Sequence, residues 1–121
     1  MPVPVEIRLK RAEKLLHLRF DSGEEFDLPA EYLRVESPSA EVQGHGPDQR
    51  IVLPGRMHVG IIGIEPVGNY AVRLRFDDLH DTGIYSWDYL HQLGLEQAER
   101  WQAYLDALAA KGLSREPRRR R

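Results

Sequence analysis

The chain has no cysteine among its 121 residues. Disulfides, thiolate nucleophiles, iron–sulfur ligation and cysteine zinc sites are therefore excluded, and a reducing compartment suits such a chain. No apolar run approaches the ~20 residues needed to span a bilayer. Met1-Pro2-Val3-Pro4-Val5-Glu6 lacks the basic start and apolar centre of a signal peptide, so the cytoplasm is the expected location. Serine is sparse. None of Ser22, Ser37, Ser39, Ser86 and Ser114 stands in a G-x-S-x-G elbow, and no base is paired with any of them in sequence. The five histidines include no pair at helical i, i+4 spacing and no His-x-His. Gly44-His45-Gly46 could gather backbone N–H groups around an anion, but neither lysine nor Ser/Thr follows as a P-loop requires.

What is present fits one globular domain. Hydrophobic residues make up 41% and charged residues 30%, an ordinary balance for a folded chain of this length. Charge is unevenly placed. From Lys111 onward six basic residues face Glu116 alone, giving +5, and the net −2 of the chain leaves −7 on residues 1–110. Arg118-Arg119-Arg120-Arg121 could touch phosphates, yet the acidic body opposes nucleic acid, and no strand interleaves basic and aromatic residues as an RNA-binding sheet would.

Period-two alternation predicts strands at Val5–Leu9, Leu16–Phe20 and Glu25–Leu28, with a turn at Asp21-Ser22-Gly23. Pro29 to Arg34 reads as one or two helical turns. Residues 36–55 read as a long loop with a candidate short strand near Arg50–Leu53. Further strands are predicted at Val59–Ile64, Tyr70–Phe76 and Gly83–Trp87. A short helical segment from Asp88 should end at Gly94, and one long helix should run from Leu95 to Lys111 with Gly112 as its cap. The two halves echo one another, each with strands, an acidic turn and then an aromatic-Leu helical turn. Residues 113–121 have nothing to bury and are expected to form a disordered basic tail after a single domain, 1–112.

His80 lies among Asp77, Asp78 and Asp81, a possible oxygen-rich setting for a cation, with His45 as another candidate ligand. The same cluster is also what a solvated acidic turn looks like. His17, alternating with Leu16 and Leu18, is expected on the exposed face of its strand. Trp87 and Trp101 read as core residues. Tyr85 and Trp87, on one strand face, would mark a partner surface together with His45 if exposed.

Two stretches carry a family pattern. One runs from Leu28-Pro29-Ala30-Glu31-Tyr32-Leu33-Arg34 through Ser37-Pro38-Ser39-Ala40-Glu41-Val42 to Gly44-His45-Gly46. The other runs from Ile62-Gly63-Ile64-Glu65-Pro66-Val67-Gly68-Asn69-Tyr70 through Phe76-Asp77-Asp78-Leu79-His80 to Gly83-Ile84-Tyr85-Ser86-Trp87-Asp88-Tyr89-Leu90. Across residues 5–94 they resemble the gamma-butyrobetaine hydroxylase-like N-terminal domain in its stand-alone bacterial form. The resemblance implies an accessory domain, found ahead of 2-oxoglutarate- and iron-dependent oxygenases and attached to iron–sulfur carrier ATPases. It implies no oxygenase activity here, because the iron and 2-oxoglutarate sites belong to a different domain. In the hydroxylases this domain holds a structural zinc through three cysteines and one histidine. The matching positions here are Ser37, Ser39 and Val42, with His80 in the histidine's place. The zinc site is thus degenerate and no metal or other cofactor is expected. Apolar packing should then fix the Ser37–Val42 turn. Leu79 stands where the family often has glycine in an Asp-Gly-His turn.

The expected fold is α+β, with six or seven mainly antiparallel short strands and a C-terminal helix packed on the sheet. The expected role is a non-catalytic accessory or protein-interaction module. Its partner would be an iron–sulfur carrier ATPase or an oxygenase. Two other readings stay open: a metal- or small-ligand-binding protein using His80 and nearby acids, and an enzyme with its site in the 37–53 loop.

Overall fold

Alternation along Leu15–Phe20 sends Leu16, Leu18 and Phe20 inward, where each is at most 1% exposed, while His17 and Arg19 point to the other face. This strand, β2, is the centre of an antiparallel meander. It pairs with β1 (Pro4–Lys10) on one side and β3 (Glu25–Pro29) on the other. The computed structural model describes residues 2–43 and 50–117. His45, its flanking glycines and Arg118–Arg121 lie outside the described residues.

A second meander repeats the plan with β4 (Ile61–Val67), β5 (Ala71–Phe76) and β6 (Gly83–Ser86). Leu74 and Phe76 of β5 are buried while Arg73 and Arg75 take the opposite face, where Arg73 pairs with Glu65 across the ladder. Each meander runs directly into a helix, α1 (Ala30–Val35) after β3 and α3 (Trp87–Leu95) after β6. The halves thus share a β-β-β-α order, which is the echo visible in the sequence. One core unites them, with Leu16, Leu18, Phe20 and Leu28 meeting Tyr32, Leu33, Leu74, Phe76, Tyr85 and Leu90. The fold is α+β with two three-stranded antiparallel sheets, and its C-terminal helix, α4 (Gln97–Ala110), packs on this body through Trp101. No described helix is long and apolar enough to cross a membrane.

Several boundaries differ from the sequence reading. Trp87 opens α3 instead of closing β6, because the Ser86 hydroxyl caps the helix by accepting the Tyr89 N–H. Gly94 lies inside α3 and does not end it. A Cβ there would stand 2.5–2.7 Å from the Phe26 ring, so glycine serves close packing between α3 and β3. The long helix starts at Gln97, one turn-like residue, Glu96, separating it from α3. Residues 50–53 form no strand, and part of the expected loop is a one-turn helix, α2 (Ala40–Gln43). At the far end Gly112 has φ +65° and Leu113 N–H reaches the Leu108 carbonyl, a Schellman ending as the sequence indicates.

The segment after Gly112 is not free over its described length. Gly55 N–H donates to the Ser114 carbonyl and Met57 N–H to that of Arg115. Arg115 also makes a bidentate pair with the buried Glu31 at 2.7 and 2.8 Å and lies over the Trp101 ring at 5.1 Å. Residues 113–117 therefore strap the 55–57 loop to α1, in place of the disordered start of a tail.

Candidate functional site

The turn between β5 and β6 decides where His80 goes. Phe76 N–H donates to the His80 carbonyl and Leu79 N–H to that of Phe76, while Asp78 Oδ1 accepts the His80 N–H. This tight closure needs a left-handed residue, and Leu79 adopts φ +72° to supply it. The side chain of Leu79 is left 92% exposed, while that of His80 turns inward.

The imidazole meets two groups. His80 Nε2 lies 2.9 Å from Ser37 Oγ, and Nδ1 lies 3.1 Å from Glu41 Oε2. Burial first, and then the nearby Arg34 guanidinium, hold the His80 pKa below its ordinary value, so the ring is neutral. A carboxylate only accepts, so Nδ1 carries the proton toward Glu41 and Nε2 accepts from the Ser37 hydroxyl. Ser37 Oγ accepts in turn from Ser39 N–H, while Gln43 Nε2 donates to the Ser37 carbonyl and Ser39 Oγ pairs with Thr82 Oγ1 at 2.8 Å. Gly83 makes room for this: a Cβ there would come within 2.7 Å of Ser37 Oγ. Asp78, beside the ring, binds Arg34 at 2.8 Å and Arg56 at 2.9 Å. Burial pushes the Asp78 carboxyl up, but the Arg34 hydrogen bond and the two guanidinium charges outweigh it and hold the pKa low.

Serine, histidine and glutamate in hydrogen-bonded series is the arrangement of a nucleophilic triad. Here it has no free nucleophile. Ser37 is completely buried, and its oxygen is shared between the imidazole and the Ser39 amide. A serine that cannot meet a carbonyl cannot attack one.

The four positions that the resemblance matches to a zinc site do come together: Ser37 touches His80, Ser39 touches Ser37, and Val42, whose N–H donates to the Ser39 carbonyl, is buried just beyond. They do not fit a zinc ion. The hydroxyl of Ser37 and Nε2 of His80 satisfy each other, Nδ1 is taken by Glu41, and Val42 has no donor atom. Among the described residues no group of three or more His, Asp and Glu is placed to hold a metal. The Ser37–Val42 turn is also held differently from the sequence expectation: a polar network fixes it, with Val42 as its apolar part.

Other sequence-predicted residues separate. Asp77 and Asp81 make no hydrogen bond to the His80 ring, whose partners are Ser37 and Glu41. His17 is only 17% exposed at its side chain and pairs with Asp27 Oδ1 at 2.7 Å, so it is engaged across β2 and β3 instead of free. Tyr85 cannot serve as a partner surface. It is fully buried, its hydroxyl donates to the Leu33 carbonyl, and burial raises its pKa. Alternation put Tyr85 and Trp87 on one face, but the chain enters α3 between them, and Trp87 emerges half-buried at the surface. There it lines a cleft of about 330 Å³ with Tyr70, which is 56% exposed.

Sequence reasoning missed a second polar centre. Glu36, 2% exposed, is clamped by Arg50 and by Arg100 at 3.0 Å. Tyr89 donates to its carbonyl at 2.6 Å, and a cavity of about 150 Å³ adjoins it between α1 and α4. Its partners lie 14 and 64 residues away, so no local signal marks them.

The solved structures that this chain is similar to include three at 38% to 48% identity. Two are NMR solution structures, each 48% identical: one covers 99% of this chain and 94% of its own with a TM-score of 0.85, the other 97% and 87% with a TM-score of 0.83. The third is a crystal structure of a protein of unknown function from Acidithiobacillus ferrooxidans, assigned to the DUF971 family. It is 38% identical over 75% of this chain and 91% of its own, with a TM-score of 0.64. No curated protein matches the chain. The family model described as "Gamma-butyrobetaine hydroxylase-like, N-terminal" matches residues 7–91.

Proposed function

Because the chain belongs to the family of gamma-butyrobetaine hydroxylase-like N-terminal domains, we propose that it is a non-catalytic accessory module that meets a partner protein. One observation carries the reading. The acid–base–hydroxyl series Glu41–His80–Ser37 closes on itself, with Ser37 and His80 buried and Glu41 at the surface, so it serves architecture and not turnover. The partners that the family setting suggests are an iron–sulfur carrier ATPase and a 2-oxoglutarate oxygenase. The acidic body, −7 over residues 1–110, favours a partner with a basic face.

The test is calorimetric titration of the purified chain with each purified candidate partner from the same cell. Saturable binding to one of them is expected. Ester, amide and phosphoester substrates should be hydrolysed no faster than in buffer. Turnover that disappears on Ser37→Ala or His80→Ala would overturn the proposal in favour of an enzyme.

A further inference from the structure

Resting on the reading of the chain as an interaction module, we infer that the Tyr70–Trp87 cleft receives a proline-containing segment of the partner protein, with an arginine or lysine next to the proline. The cleft is lined by Pro2, Val3, Asn69, Tyr70, Ser86, Trp87 and Asp88. Two of its walls, Trp87 and Val3, are tied down before any ligand arrives. The Tyr70 ring lies against Gly68, whose missing Cβ would stand 2.9 Å from it, and the φ of +55° at Gly68 shapes that turn. Trp87 is tied twice to the same turn, its backbone N–H to the Tyr70 carbonyl at 2.9 Å and its indole N–H to the Asn69 carbonyl at 2.8 Å. Val3 is pinned to Asp21, donating to its carboxylate and accepting its N–H.

These bonds also define the chemistry on offer. The indole donor is already used, so Trp87 presents a ring face and not a hydrogen bond. Ser86 is used as the cap of α3. What remains is two aromatic faces, apolar Pro2 and Val3, the side-chain amide of Asn69 and the exposed carboxylate of Asp88, with no basic residue in the lining. Aromatic faces take proline well, because a polyproline segment is already extended and loses little entropy on docking. Aromatic faces beside a carboxylate also attract a cation. The net charge of −7 over residues 1–110, and the lone charge of the lining being the Asp88 carboxylate, disfavour an anionic occupant such as nucleic acid.

The experiment uses the ¹⁵N-labelled full chain and the blocked peptide Pro-Pro-Arg-Pro-Pro, with one control peptide replacing arginine by glutamate and another replacing the prolines by alanine. Saturable shifts at the Trp87 indole N–H, Tyr70 and Asp88 are expected. Tyr70→Ala should weaken binding about tenfold, as loss of an aromatic anchor does. Asp88→Asn should weaken it roughly two- to fivefold at low salt. Both substituted positions are exposed, and unchanged spectra elsewhere verify the fold. The inference fails if these signals do not move. It fails if either control peptide binds equally well. It also fails if they shift with protein concentration alone, which would make the occupant a second copy. A natural partner that binds the Tyr70→Ala variant undiminished overturns the cleft but leaves the module reading intact. Absence of binding to every candidate partner, with the peptide still bound, counts against the module reading alone.

Discussion

Replacing Ser37 by alanine tests whether hydrogen bonding fixes the turn at the positions where the resemblance would place a metal. The substitution removes an oxygen that is wholly buried and holds both His80 Nε2 at 2.9 Å and Ser39 N–H at 3.3 Å. Each buried polar group left without a partner costs about 1–3 kcal/mol. The small cavity left by the hydroxyl adds little, and the Ser39 amide lies in a part-buried turn where it regains some solvation. The expected loss is roughly 2–3 kcal/mol, a sizeable share of the ~5–15 kcal/mol that holds a domain of this size. In a thermal melt followed by circular dichroism that corresponds to a fall of roughly 8–12 °C. Ser39→Ala, whose hydroxyl meets Thr82 at an exposed edge and accepts the Glu41 N–H at the start of α2, should cost only about 0.5–1 kcal/mol. Chelator should leave the melting temperature of the parent unchanged. A Ser37→Ala protein as stable as the parent, or a parent that melts earlier in chelator, would refute the argument.

Two further outcomes follow from the packing and the charges. Gly94→Ala should destabilise by about 1–2 kcal/mol in urea, since overpacking against Phe26 exceeds the ~1 kcal/mol that alanine adds to a helix; a more stable variant would show that the α3–β3 contact gives way. His80 binds its proton less readily folded than unfolded, chiefly because it is buried, so its contribution to stability is complete above the unfolded pKa near ~6.5 and is lost as pH falls below it. Urea titrations from neutral to mildly acidic pH should therefore show a decline in the parent that is smaller in His80→Gln, and equal slopes would remove His80 as its cause.

The local part of this protein was legible in its residues. Period-two alternation marked β2 and β5, because one face of each must be apolar and the other need not be. The apolar stripe of the last helix and its Gly112 ending could be read directly, since both depend on residues within a few positions of one another. The long Gly-, Pro- and Trp-rich stretches likewise carried the family resemblance, and through it the positions Ser37, Ser39, Val42 and His80. What those positions do was decided only when the two halves closed on each other. Ser37 and His80 are 43 residues apart and Glu41 and His80 are 39 apart, and hydrogen-bond partners at such separations leave no periodic trace. The same holds for Gly94, which reads as a helix end until Phe26 is found against it. It holds again for Tyr85 and Trp87, two residues apart and expected on one face. The turn from strand into helix buries the first beneath the Leu33 carbonyl and leaves the second half-buried in a cleft beside Tyr70.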